Sequence, residues 1–268
     1  MRLKKIRLLF IIACVTLTAT LLSAFAFADG PDQKAFKTAN SLFLNQQYDE
    51  ARIAYEKLVK LGYNDATIYY NLSNTYFFIG DNGKGALYLY RAREIDPRSE
   101  DIKKSIKALD AIIMGSPVTK DESVNDSAGS LKGFIISFKV MTKNEVAMLA
   151  LFLYLFFFIW ILTRKLFPHG AKRALAATAG TISYLLSIFF IFIFVMTFYY
   201  EHYYPQRVAL ETVELRSSPS KDSGYNNGTL LKEGMLIELN DTYDDWGKVI
   251  LANGTKTGWV KLDILEGI

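Results

Sequence analysis

The 268-residue chain is 51% hydrophobic and 22% charged, with a formal net charge of +4. The basic excess is local: residues 1 to 28 carry +4 and residues 114 to 206 carry +3, while 29 to 113 balance and 207 to 268 carry −3. Without its first segment the chain is neutral, which excludes a basic nucleic-acid surface, and the single cysteine, Cys14, excludes a disulfide framework.

Residues 1–28 join a basic head, an apolar run from Leu8 to Leu22, and the small residues Ala26 and Ala28. That pattern is a secretory signal peptide cleaved after Ala28. An uncleaved anchor, or a lipid-modified Cys14 within Ile11-Ile12-Ala13-Cys14, are the alternatives.

Residues 29–114 read as helices that repeat. Asn40 matches Asn74, Leu42 matches Tyr76, Ala51 matches Gly85 and Tyr55 matches Leu89, each pair 34 residues apart. Leu61-Gly62-Tyr63-Asn64-Asp65 closes the first copy and Asp96-Pro97 the second. Ser99-Glu100-Asp101 then opens a further helix with a capping signal.

On these residues the segment resembles the tetratricopeptide repeat, whose unit is 34 residues of helix-turn-helix. It departs at the first aromatic position, where Ala35 stands; Tyr69 fits better. The resemblance implies a concave groove lined by the first helix of each pair, which takes peptide or protein segments. It places Phe36, Asn40 and Phe43 there from the first copy, and Tyr70, Asn74 and Phe77 from the second. Asn side chains can pair with both groups of an extended backbone. Equally, these residues can be ordinary cover for the third helix.

Residues 115–142 form a linker: Gly115 to Ser130 is polar and turn-rich, and Leu131 to Met141 mixes apolar residues with Lys and Ser. A first transmembrane helix is placed at 143–165 and a second at 174–200, around the uncharged runs Val146–Thr163 and Ala174–Tyr200. The loop between them, 166–173, belongs to a stretch with four basic residues, Arg164, Lys165, Lys172 and Arg173, and no acid. The positive-inside rule assigns it to the cytoplasm. With an exported start, both soluble parts then face outward, in the periplasmic or external compartment. Ala176, Gly180, Ser183 and Ser187 recur at spacings of three or four. Such residues let helices approach closely, either within the hairpin or between copies.

Residues 207–268 change to short β-rich runs with turns, including Asn253-Gly254. Leu215-Arg216-Ser217-Ser218-Pro219, Leu231-Lys232-Glu233-Gly234, Trp246-Gly247-Lys248-Val249 and Gly258-Trp259-Val260 resemble, in order, elements of the bacterial SH3 domain. That resemblance implies a small barrel. Tyr225, Tyr243, Asp244 and Trp246 can rim a groove between its loops; alternatively Trp246 and Trp259 are both barrel core, the reading preferred for Trp259. Because these signals are locally complete, the segment is expected to fold alone.

The expected fold class is therefore multidomain: an all-α tetratricopeptide-like repeat, a two-helix transmembrane hairpin and a small all-β SH3-like barrel. The two histidines, His169 and His202, flank the second span and share no cluster with the outer parts, so no metal or cofactor is expected. P-loop, nucleophile-elbow and dinucleotide signatures are missing from the sequence, and no catalytic residue is assigned. The domain order resembles the membrane proteins of the Bacteroides-aerotolerance (Bat) group, which implies envelope assembly and tolerance of oxidative stress. The expected function is a non-catalytic adaptor in the cytoplasmic (inner) membrane with envelope proteins as partners. A peptidoglycan-binding sensor, or a regulator of cell-wall enzymes, is the alternative.

Overall fold

The structure, a computed structural model, describes residues 33–114, 141–163, 171–220, 224–251 and 256–268. The segment expected to be a signal, nearly all of the expected linker, residues 164–170 of the basic stretch and the turn expected at Asn253-Gly254 lie outside them. The described residues form seven α-helices and an antiparallel sheet of seven strands. They fall into two compact units. One holds Lys143–Val195; the other holds the first five helices and the sheet.

Five helices come first: α1 (Gln33–Leu44), α2 (Tyr48–Lys60), α3 (Ala66–Ile79), α4 (Asn82–Ile95) and α5 (Glu100–Met114). Their ends follow local chemistry. Asp65 accepts from the amides of Thr67 and Ile68 at 2.8 and 3.2 Å and so caps α3. Gly80 ends that helix at φ +95°, a conformation that costs glycine little. Asp81 caps α4 through the Lys84 amide. The expected cap at Ser99 is present, its hydroxyl 3.5 Å from the Ile102 amide.

The 34-residue offset is a packing offset. Ala51, Tyr55 and Leu58 bury one side of α2 against Ile68, Leu72 and Tyr76 of α3. At the matching positions Gly85, Leu89 and Ala92 are buried in α4. Gly85 permits closest approach: a Cβ there would stand 2.5 Å from the Phe77 ring. The Ser73 hydroxyl, in that same contact, donates to the Gly85 carbonyl at 2.7 Å.

The sheet comprises β1 (Gln206–Ala209), β2 (Val213–Arg216), β3 (Tyr225–Leu231), β4 (Leu236–Tyr243), β5 (Trp246–Ile250), β6 (Thr257–Lys261) and β7 (Leu265–Gly267). Their order is β3-β2-β6-β5-β4-β1-β7. Period-two alternation sends Leu215, Ile237, Leu239, Val249 and Val260 into one aliphatic core. Trp246 and Trp259 take the other parity and are only half-buried, so the core placement expected for Trp259 is corrected.

The sheet does not stand apart from the helices, as local signals alone suggested. Val208 of β1 is buried in one cluster with Ala86, Leu87 and Tyr90 of α4 and Ile102, Leu109 and Ile113 of α5. Two adjacent residues of the β3–β4 turn complement two helix ends. The Glu233 carboxylate accepts from the Gly83 amide at 2.7 Å, at the positive end of α4. The Lys232 ammonium donates to the Ile113 carbonyl, at the negative end of α5. Each charge has the sign that its helix dipole favours. Arg91 completes the clasp, donating to Glu266 at 3.0 Å and to the Gly267 carbonyl at 2.8 Å.

The remaining unit is built from α6 (Lys143–Thr163) and the part of α7 (Ala171–Tyr203) that ends at Val195. Both are long and apolar enough to cross a membrane, with mean hydropathies of 2.0 over Lys143–Ile161 and 2.3 over Ala177–Tyr203. α7 begins inside the expected loop and outruns the expected end at residue 200 by three residues. Its small residues face α6: the Ser183 and Ser187 hydroxyls donate to the Leu153 and Ala150 carbonyls at 2.8 and 3.1 Å. A Cβ on Gly180 would lie 2.3 Å from the Trp160 ring. At these three positions the stripe packs the hairpin.

Candidate functional site

Helices α1, α3 and α5 are related by the 34-residue step, so residues at that offset share a face. Side chains three or four apart on each helix continue it. This face holds the groove residues expected from sequence, but it uses several of them internally. The Asn40 Oδ1 accepts from the Tyr55 hydroxyl and from the Asn71 Nδ2, the latter at 3.1 Å. Burial pushes the Tyr55 hydroxyl pKa up to about 12, so it remains a donor. Asn40 therefore has its carbonyl committed and only its amide group to offer a ligand. Asn74 is half-exposed, and its side chain has no hydrogen bond among the described residues.

The aromatic candidates divide similarly. Phe36 packs edge-on against Tyr55 at 6.5 Å. The Tyr70 hydroxyl meets Ser105 Oγ at 3.2 Å and so ties α3 to α5. Phe77 covers Gly85. Phe43 belongs to a box with Tyr48 and Phe78, in which Tyr48 and Phe78 stack at 4.8 Å. Cover for a neighbouring helix thus accounts for Phe36, Tyr70 and Phe77, and the open part of the face lies elsewhere.

That open part is a strip that sequence reading did not single out. Leu44, Phe78 and Ile112 stand 34 residues apart, and they are 78%, 62% and 78% exposed. Each lies four residues beyond Asn40, Asn74 or Ala108, hence on the same face. The signal was available: a large apolar residue at one repeat position in three successive helices. Exposed apolar residues at single positions are common on protein surfaces, so the repeat of one carries weight only once the three helices lie side by side.

On the opposite side of the helical pairs, Glu56 links α2 to α3. Its carboxylate accepts from the Tyr76 hydroxyl and from Arg52, the latter at 3.0 Å. Burial works against the charged form, yet the bonds from Tyr76 and Arg52 outweigh it and hold the Glu56 pKa below its ordinary value. The same environment, burial first, raises the Tyr76 hydroxyl. No hydroxyl in this network is activated as a nucleophile. Among the described residues no group of three His, Cys, Asp or Glu side chains is placed to hold a metal.

The sheet presents a second candidate on its outward parity. Register aligns Tyr225, Arg216, Trp259, Lys248 and Asp241 across five strands, and Tyr243, Trp246 and Lys261 in the next row. The Tyr225 side chain lies outside the described residues. Tyr243 is 59% exposed, and the Arg216 guanidinium lies over the Trp246 ring at 5.7 Å. Asp244 has φ +48°, so it serves the β4–β5 turn, in a conformation Asp tolerates better than most residues. Sequence reading found Tyr243 and Trp246 but not Arg216 or Trp259, whose shared side depends on strand register.

No family model matches the chain, and none of the curated proteins compared with it matches either.

Proposed function

We propose that the chain is a non-catalytic, membrane-anchored adaptor of the cell envelope, which holds a segment of a partner protein on the shared face of α1, α3 and α5. The observation that carries this reading is the combination of half-exposed Asn74 with the exposed strip Leu44, Phe78 and Ile112 on a helical repeat. An apolar strip in register across three helices is a liability in water unless something covers it. The pairing geometry supports a tetratricopeptide-like array, and the strand order with its aliphatic core supports an SH3-like module. The signal-like residues 1–28 and the basic stretch Arg164–Arg173 support an outward-facing position for both at the cytoplasmic membrane. The order of segments extends the proposal to a Bat-type complex concerned with oxidative stress.

Topology is testable directly. Reporter fusions after residue 120 and after residue 268 are expected to be active only as exported reporters. Activity of either as a cytoplasmic reporter contradicts the placement.

A second reading has its own support: Trp246 and Trp259 both face outward, where aromatic rings can stack on sugar faces. Recognition of peptidoglycan would then be primary, and the chain would be a sensor. The adaptor reading expects little co-sedimentation of the full-length protein with peptidoglycan sacculi. Strong sedimentation that disappears in Trp246→Ala and Trp259→Ala would promote the sensor.

A further inference from the structure

The strip has chemistry on its flank as well as along its length. Moving back along the same face toward the N-termini of the helices, the exposed charged side chains are Lys34 and Lys37 on α1 and Lys104, Asp101 and Glu100 on α5. α3 contributes no charge anywhere between Ala66 and Ile79. The face is therefore graded: apolar at the C-terminal ends, amide in the middle at Asn40, Asn71 and Asn74, and net basic at the N-terminal ends. α1 touches α3, and Tyr70 joins α3 to α5. Helices in contact stand about 8–10 Å apart. An extended polyproline-type chain rises about 3.1 Å per residue and returns a side chain to the same edge every third residue. One rung of the strip thus corresponds to about three residues of such a chain.

We infer that the strip of Leu44, Phe78 and Ile112 seats an extended segment of a partner protein that carries an apolar side chain every third residue and carboxylates on the edge facing Lys37 and Lys104. This rests on the adaptor reading and names its ligand. Three apolar rungs in a row select a segment of about seven residues or more, and a lysine flank selects against basic segments by charge repulsion. Glu100 and Asp101, at the far end of the face, disfavour a carboxylate beyond Lys104 and so set the outer limit of the acidic edge.

The test uses the full-length protein in lipid nanodiscs and three labelled nonapeptides, made of three repeats of Leu-Pro-Glu, Leu-Pro-Lys or Ser-Pro-Glu. The Leu-Pro-Glu peptide should bind at least tenfold more tightly than either of the others. Ile112→Ser should weaken it at least tenfold without changing the circular dichroism, since Ile112 is 78% exposed. Lys37→Glu combined with Lys104→Glu should reverse the preference toward Leu-Pro-Lys. Equal binding of the three peptides, binding of none, or an unchanged affinity in Ile112→Ser overturns the inference. The two readings separate: a partner captured at Asn74 whose capture is indifferent to Leu44→Ser and Ile112→Ser overturns the strip and leaves the adaptor reading, whereas no partner captured at Asn74 overturns the adaptor reading itself.

Discussion

Gly83→Ala is expected to destabilise the full-length protein, against the usual sign of such a change in a helix. Helix propensity alone favours Ala over Gly by about 0.8–1.0 kcal/mol. At this position, however, a Cβ would stand 2.5, 2.7 and 2.9 Å from three backbone atoms of Leu210. Backbone cannot turn aside as a flexible side chain can, so the helix must withdraw from the sheet. Overpacking costs about 1–3 kcal/mol. Here it also removes the Glu233 carboxylate from the Gly83 amide, and charge-assisted bonds are the stronger kind. The midpoint of thermal unfolding should fall by about 2–12 °C, at ~2–4 °C per kcal/mol for a unit of this size. The β1–β4 region should become open to protease. Gly224→Ala, with nothing within 4 Å of its Cβ, is the control and should be neutral. A rise in the midpoint for Gly83→Ala would mean that α4 and the sheet do not dock in solution.

The second large effect lies in the hairpin of α6 and α7, the two helices long and apolar enough to cross a membrane. Gly180→Leu places a branched side chain where even a Cβ would meet the Trp160 ring at 2.3 Å. In lipid the two helices have no hydrophobic drive to stay together, so close packing and interhelical hydrogen bonds carry the association. Both go when the helices part, including the Ser183–Leu153 and Ser187–Ala150 contacts. Cysteines introduced as Ala150→Cys and Ser187→Cys should form an oxidative cross-link, and that cross-link should fall to background when Gly180→Leu is added. The sole natural cysteine, Cys14, lies in the leading segment and does not compete once that segment is removed. A cross-link unaffected by Gly180→Leu would show that these two helices do not pack through this stripe.

Much of the architecture was legible because its signals are local. The 34-residue step, the cap at Ser99, and the uncharged runs that end at Thr163 and Tyr200 each sit within one element or one turn. Strands β1, β2, β4, β5 and β6 announced themselves by alternation and by glycines at core positions. The clasp was not legible. Gly83 and Glu233 are 150 residues apart, and nothing in Lys232-Glu233 distinguishes a solvated turn from a pair of helix caps until α4 and α5 lie beside it. The site was half-legible for a related reason. Asn40 and Asn74 occupy equivalent repeat positions, yet only Asn40 has Tyr55 and Asn71 within reach, so equivalent residues do different work. Trp259 illustrates parity. Its type favours a core, but Gly258 and Val260 take the inward positions of β6, and alternation leaves Trp259 outside.

The adaptor reading turns on whether a protein occupies the face of α1, α3 and α5 in the living envelope. A photo-cross-linking residue placed at Asn74 in the full-length chain, expressed in its native host and irradiated in intact cells, measures this directly. The account predicts one discrete cross-linked envelope protein whose own labelled segment is extended, apolar and acidic, with no product from the same probe placed at exposed Ile53 of α2. Repeated absence of any product at Asn74, from a chain that is exported and folded, would contradict it.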